Sequence, residues 1–343
     1  MLAILFVSFG LTVVFGALTL RFFPVWGLMD RPDRYGHQRK PIPYPGGVAI
    51  VASVLLCAAF FLKENPLILS LISSIVILSA TCFWDDRRGL SPYIRLFVQL
   101  LAAGLLVCGG LGVSSITNPL GGTLVLDAWK IPLHFGDVTF TFTVFADLIT
   151  MVWLVTMTNA FNWIDGVPGM ANSVAAVAAL VLLLLSVRPG FHSVDQSLAI
   201  SLSSMVLGCS LAFLIFDFPP PRMLMGDTGS MLLGFLLAVT AMISGGKIAT
   251  TALVLGFPLL DFIWVIARRL FKGQSPFKGD LWHFHHRLQK AGYKDSTIVV
   301  FFGFTSAIFG ALALMLHTEG KALALVGIFM TMSLLVLLLY SKK

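Results

Sequence analysis

The chain has 343 residues, 57% of them hydrophobic and only 11% charged, with a mean hydropathy of +0.92. Soluble domains carry about 25% charged residues, so a soluble α/β enzyme is excluded and an all-α integral membrane protein is indicated. The net charge of +7 is better read as a topology signal with attraction to membrane lipids and phosphate than as a nucleic-acid surface. No nucleic-acid partner is expected.

A helix needs roughly 20 apolar residues to cross hydrocarbon. In chain order, the windows that reach or approach this are 2–23, 46–62, 67–84, 93–113, 147–164, 169–187, 196–216, 230–244, 248–270, 297–316 and 321–341. We therefore expect one polytopic domain, 1–343, with about 10–11 transmembrane helices; 46–62 and 230–244 are the shortest candidates. Residues 1–20 have no basic leader ahead of their apolar run, which argues against a cleaved signal peptide. If the N-terminus lies outside and the passes alternate, eighteen lysines and arginines fall inside. Only Lys63, Lys130, Arg188, Lys247 and Lys321 fall outside. That bias predicts an outside N-terminus and a cytoplasmic C-terminus.

The longest outer loop is 114–146. Thr123–Leu126 and Val138–Thr143 partly alternate around Phe135-Gly136-Asp137, which predicts a small extracytoplasmic β-hairpin. Pro258 removes a backbone donor inside window 248–270 and predicts a bend, either opening a groove for a lipid tail or serving packing. The four cysteines, Cys57, Cys82, Cys108 and Cys209, lack metal or disulfide spacing and read as apolar fillers.

Polar residues gather in five stretches, Leu28–Gly47, Trp84–Ser91, Asn159–Gly169, Phe218–Ser230 and Arg268–Lys294, and alternation places all five on the cytoplasmic face. Asp85 and Asp86 end the third window. Neighbouring side chains on a helix diverge by about 100°, so one can approach a metal or substrate while the other meets a basic group. The plainer alternative is a solvated helix end. Asn159, Asn162 and Asp165, at i, i+3 and i+6, offer carboxamide and carboxylate oxygens to a hard cation such as Mg²⁺, or simply cap and pack their helix. Asp227 follows Gly226 at a helix entry, suited to capping or to holding a metal beside a phosphate. His283, His285 and His286 are badly spaced for structural zinc. With Arg268, Arg269, Lys278 and Arg287 they make a better diphosphate clamp, the alternative being a loop against lipid headgroups. Carboxylates for Mg²⁺, cations for phosphate and apolar bulk for a lipid together suit phosphoryl transfer to a membrane lipid.

Five motifs then resemble, in order, the polyprenyl-phosphate N-acetylhexosamine-1-phosphate transferases of glycosyltransferase family 4. They are Asp30-Arg31-Pro32 with Pro45-Gly46-Gly47, Asp85-Asp86-Arg87-Arg88-Gly89, Asn159-Ala160-Phe161-Asn162-Trp163-Ile164-Asp165-Gly166, Met225-Gly226-Asp227-Thr228-Gly229-Ser230 and His283-Phe284-His285-His286. The chain is most similar to the bacterial branch that makes undecaprenyl-diphospho-N-acetylglucosamine and starts lipopolysaccharide or other cell-wall glycans in the inner membrane.

The resemblance implies Mg²⁺, with Mn²⁺ as the alternative ion, held by Asp227 and Asn162. It implies a UDP-N-acetylhexosamine donor and undecaprenyl phosphate as acceptor. Asp85 and Asp86 would serve the acceptor phosphate or the metal, one as base or nucleophile. Asp165 would place the nucleotide, with Asn159 beside it. His283, His285 and Arg287 would clamp phosphates together with Arg268, Arg269 and Lys278, and Asp280 and Asp30 would shape the loops. A homodimer is left open. Two positions depart from the family's pattern: Pro168 stands where a second Asp is common, and Leu224 where an aromatic often stacks on the base. Trp163, Phe218, Phe277 or Trp282 are candidates for that ring.

Three rival readings stay open. They are a phospho-N-acetylmuramoyl-pentapeptide transferase, a catalytically inactive homologue, and an ion-coupled secondary transporter, for which Asp261 inside window 248–270 is the best-suited residue.

Overall fold

The computed structural model describes residues 1–32, 39–118, 122–135, 138–189, 194–245, 247–275 and 282–341. Each of the eleven apolar windows coincides with helix. In order these are α1 (Leu2–Phe22), α2 (Val48–Phe61), α3 (Ile68–Arg88), α4 (Pro92–Cys108), α5 (Val144–Ile164), α6 (Met170–Ser186), α7 (Ser197–Asp217) and α8 (Asp227–Ile243). There follow the pair α9 (Ile248–Val254) and α10 (Gly256–Phe271), then α11 (Phe284–Lys290), α12 (Asp295–Met315) and α13 (Thr318–Ser341). Among the described residues, five helices are long and apolar enough to cross a membrane, or six if the bent pair counts as one span. Helices α2, α4, α6 and α8 are apolar but shorter. The chain is thus a mostly helical, multi-pass membrane protein.

Helix α8 forms the centre. Every residue from Thr228 to Met242 is buried, as expected of a helix apolar on all sides. Small residues allow close approach: a β-carbon at Gly234 would stand 2.5 Å from the Met157 carbonyl of α5. At the start of α8 the approach is closer still, since a β-carbon on Gly47 would lie 2.3 Å from the Gly229 nitrogen. That contact joins backbone to backbone, so no side-chain rotation can relieve it. Gly47→Ala is expected to destabilise the fold by about 1–3 kcal/mol or more, read as a lower Tm in detergent. An unchanged Tm would show that the two segments can separate freely.

The ninth window is broken, with α9 and α10 meeting at 85°. The physical cause is Pro258, which has no N–H to give the Val254 carbonyl. The break therefore falls at Leu255, a turn before the proline. Between α4 and α5 the chain forms two antiparallel pairs rather than one hairpin. Strand β1 (Ser115–Thr117) pairs with β2 (Thr123–Val125), and β3 (Lys130–Phe135) with β4 (Val138–Thr143). The stretch beginning at Thr123, expected to join Val138–Thr143, instead pairs backward onto β1. The turn residues 136–137 lie outside the described residues.

Candidate active site

The polar stretches meet at the end of the bundle where α3, α5 and α7 finish and α2, α4, α6 and α8 begin. The first stretch touches the fourth through Leu224 N–H to the Pro43 carbonyl (3.1 Å) and Gly46 N–H to the Leu224 carbonyl (2.7 Å). Asp30 helps to hold that loop, its carboxylate accepting from Ile42 N–H at 2.7 Å and pairing with Arg39 at 2.5 Å.

Asp86, at the end of α3, caps α8 from outside its own helix. Its carboxylate accepts from the backbone N–H of Asp227 (2.9 Å) and Thr228 (3.0 Å), from the Thr228 hydroxyl (2.6 Å) and from the Tyr44 hydroxyl (2.5 Å). An acid suits a helix N-terminus, where backbone donors are otherwise unpaired. Gly226 makes the geometry possible. Its φ is +76°, and a β-carbon there would lie 2.8 Å from Pro45 and 2.9 Å from an Asp86 oxygen. Only glycine combines that conformation with that closeness.

Asp227 is thereby placed beside Asn162. The Asn162 amide donates to Asp227 Oδ1 at 2.8 Å and to the Ser230 hydroxyl at 3.4 Å. Arg95 of α4 reaches into the same pocket. One guanidinium nitrogen lies 3.1 Å from Asp85; the other is 3.3 Å from Asp227 and donates to the Asn162 oxygen at 3.1 Å. Asp85 also accepts from Leu90 N–H at 2.5 Å. One turn along, Gln99 and Asn159 exchange amide hydrogen bonds of 2.6 and 3.3 Å. Asn159 thus supports the pocket by tying α4 to α5. By sequence Arg95 is one of the eighteen inside basic residues and no more. Its signal was a polar i, i+4 pair with Gln99 in an otherwise apolar helix, which in a membrane marks function.

Asp165, just past the end of α5, is half-buried. Burial first, then the nearby carboxylates of Asp217, Asp227 and Asp86, hold its carboxyl well above the ordinary range. Asp217 itself is buried at the end of α7, accepting from the Asn172 amide at 2.6 Å. Neither Asp217 nor Asn172 was singled out from the sequence.

The histidine stretch packs against the end of α5. Trp163 packs its edge on His283 at 5.2 Å, and the Arg269 guanidinium sits 4.8 Å from the Trp163 ring centre. Arg268 and Arg287 lie 4.7 and 5.2 Å from the ring centre of half-exposed Trp282. His283 Nδ1 lies 2.7 Å from Asp261, which also accepts from Phe284 N–H at 3.0 Å. Asp261 is thus tied into the histidine stretch.

His285 is 1% exposed, and its Nε2 would stand 2.3 Å from a β-carbon on Gly166. Burial first, then the neighbouring imidazoles of His286 and His283, push it well below the ordinary imidazole range. His285 is thus enclosed against Gly166 at the end of α5, while His283 stands between Trp163 and Asp261. Lys278 and Asp280 lie outside the described residues, as does Phe277.

For a Mg²⁺ ion the protein offers few donors of its own. Among the described residues no three His, Cys, Asp or Glu side chains are grouped to hold a metal. Asp227 and Asn162 offer one carboxylate and one carboxamide oxygen, and the carboxylates of Asp85, Asp86 and Asp227 outnumber the Arg95 charge. Mg²⁺ is commonly held by one or two carboxylates, with water and substrate phosphates completing its octahedron.

The sequence model of one family, described as glycosyl transferase family 4, matches residues 67–245. The chain belongs to glycosyl transferase family 4. That match includes α3, α4, α5 and α8, and with them Asp85, Asp86, Arg95, Asn162 and Asp227. The chain is 27% identical over 312 residues to the probable undecaprenyl-phosphate N-acetylglucosaminyl 1-phosphate transferase of Bacillus subtilis, covering 88% of this chain and 81% of that protein. It is 29% identical to the undecaprenyl-phosphate alpha-N-acetylglucosaminyl 1-phosphate transferase of Yersinia pestis, covering 92% and 83%. It is also 28% identical over 311 residues to the phospho-N-acetylmuramoyl-pentapeptide-transferase of Borrelia hermsii, covering 83% and 84%.

Proposed function

We propose that this protein transfers N-acetylhexosamine 1-phosphate, foremost GlcNAc 1-phosphate, from a UDP-sugar to undecaprenyl phosphate. UMP is released and the undecaprenyl-diphospho-sugar begins a cell-envelope glycan. The site faces the cytoplasm from the bacterial inner membrane, in keeping with the eighteen-to-five placement of basic residues. The observation that carries the reading is the meeting of Asp227, Asn162 and Arg95 against Asp85 and Asp86, within a chain related to named sugar-phosphate transferases.

In the transfer, an oxygen of the lipid phosphate forms a bond to the sugar-bound phosphorus. The bond from that phosphorus to the oxygen bridging to UMP breaks, and UMP leaves with its electron pair. Phosphoryl chemistry of this kind depends mostly on positioning and charge neutralisation. Asp227 and Asn162 are the residues that would hold Mg²⁺, which when bound supplies positive charge to the diphosphate. Arg95 brings a fixed cation to the same pocket, while His283, Arg268 and Arg287 supply phosphate donors and buried Arg269 braces Trp163. Asp86 spends its oxygens on the first turn of α8 and Tyr44, so its role is to aim Asp227. The acceptor phosphate is an anion at neutral pH and needs no strong base.

Purified protein given undecaprenyl phosphate and a panel of UDP-sugars should release UMP with UDP-GlcNAc and yield a lipid of matching mass. A product formed only from UDP-N-acetylmuramoyl-pentapeptide would move the chain to the other branch. No product from any donor would overturn the proposal and favour an inactive homologue or a transporter. EDTA should abolish UMP release and Mg²⁺ restore it; undiminished activity in EDTA would remove the metal from the account.

A further inference from the structure

Helix α10 carries a buried carboxylate that the roles above leave unused. Asp261, 4% exposed, accepts from Phe284 N–H at 3.0 Å and lies 2.7 Å from His283 Nδ1. An ionised carboxylate only accepts hydrogen bonds, so the proton between the two groups belongs to Nδ1. Nε2 is then the nitrogen left to act. It has no hydrogen-bond partner among the described residues and, unlike Nε2 of His285, is not a buried orphan. The ring is held by the Trp163 edge at 5.2 Å and by His285, stacked at 5.6 Å. The sharp break before α10 gives Asp261 a direction different from that of α9, towards the short helix that His283 begins.

We infer that Asp261 is a positioning residue for the transfer reaction, fixing the tautomer and orientation of His283 so that Nε2 is offered to a substrate phosphate. The inference rests on the phosphotransfer reading. Nδ1–H is given to Asp261 and Nε2–H to a phosphate oxygen, and no bond is made or broken at Asp261. Among the described residues, the charged and titratable groups around His283 are Asp261 on α10, Arg269 across Trp163, and His285 and His286 on its own segment. Asparagine cannot replace the acid quietly. Its N–H₂ must face either Phe284 N–H, donor against donor, or Nδ1, which then accepts and leaves the ring in the other tautomer.

The test is a double-mutant cycle on the full-length protein, reading UMP release from UDP-GlcNAc with undecaprenyl phosphate. Asp261→Asn and His283→Ala should each lower kcat/KM roughly 10–100-fold, the range typical when an orienting partner is lost. The double variant should match His283→Ala within about twofold, because Asp261 acts through that ring. A purely structural Asp261 would instead cost as much again in the His283→Ala background, and losses that multiply overturn the inference. So does an Asp261→Asn protein of wild-type activity. Asp261→Glu, which keeps both acceptors but displaces them, runs the same cycle if the Asn protein cannot be recovered folded. Wild-type protein that releases no UMP defeats the phosphotransfer reading itself; active wild type with multiplying losses defeats the role of Asp261 alone.

Discussion

Asp227→Asn should reduce UMP release by roughly 10³-fold while leaving the protein folded. The substitution keeps size and shape. Its backbone N–H can still donate to Asp86, now at 2.9 Å, so the start of α8 stays capped. What is lost is the charge facing Asn162 at 2.8 Å and Arg95 at 3.3 Å. A metal's electrostatic contribution to such a transition state is several kcal/mol, and each 1.36 kcal/mol is about tenfold in rate. Thermal unfolding in EDTA should be nearly unchanged, whereas stabilisation by Mg²⁺ with UDP-GlcNAc should vanish. Near-normal turnover would remove Asp227 from the metal site.

Arg95→Met should cost roughly 10²–10³-fold in turnover and also weaken the apo protein. Asp85 and Asp227 both use this guanidinium, at 3.1 and 3.3 Å. Removing it leaves their charges close together with no shared counter-charge. Breaking a buried pair costs about 3–5 kcal/mol; this arginine side chain is 25% exposed, so a smaller loss is expected here. Part of the lost stability should return with Mg²⁺, which supplies a replacement cation, and the missing activity should not. Arg95→Lys should fall between, since an ammonium cannot reproduce the planar fork that reaches Asp85 and Asn162 together. Full activity in the Met variant would show that Arg95 only holds helices.

Hydropathy made the helices legible because each apolar run is long or sharply bounded by charge, glycine or proline. Alternation of the passes also placed the polar stretches on one face. The structure shows contacts from Pro43 to Leu224, Tyr44 to Asp86, Asp86 to Asp227, Asn162 to Asp227, and Trp163 to His283.

What stayed hidden was pairing across distance. Asp85 and Asp86 look alike in sequence, yet one meets Arg95 and the other caps a helix 141 residues away. No local spacing encodes that choice, which depends on how α3 rotates against α8. Arg95 was overlooked because a single arginine near a helix start also serves membrane orientation. Asp261 suits an ion-coupled transporter by sequence because the 85° break before α10 leaves only Pro258 as its mark. The outer loop misled for a different reason. Short alternating stretches give register no preference, and β2 found the nearer partner, β1.

The most direct measurement follows the two phosphorus atoms of the donor separately. With UDP-GlcNAc labelled on the sugar-bound phosphate, radioactivity should pass to the undecaprenyl lipid in step with UMP release; labelled on the uridine-bound phosphate, it should stay in UMP. If the sugar-bound label remained with the nucleotide, or never reached lipid while Mg²⁺ and both substrates were present, transfer of sugar 1-phosphate at the Asp227–Asn162–Arg95 pocket would be contradicted.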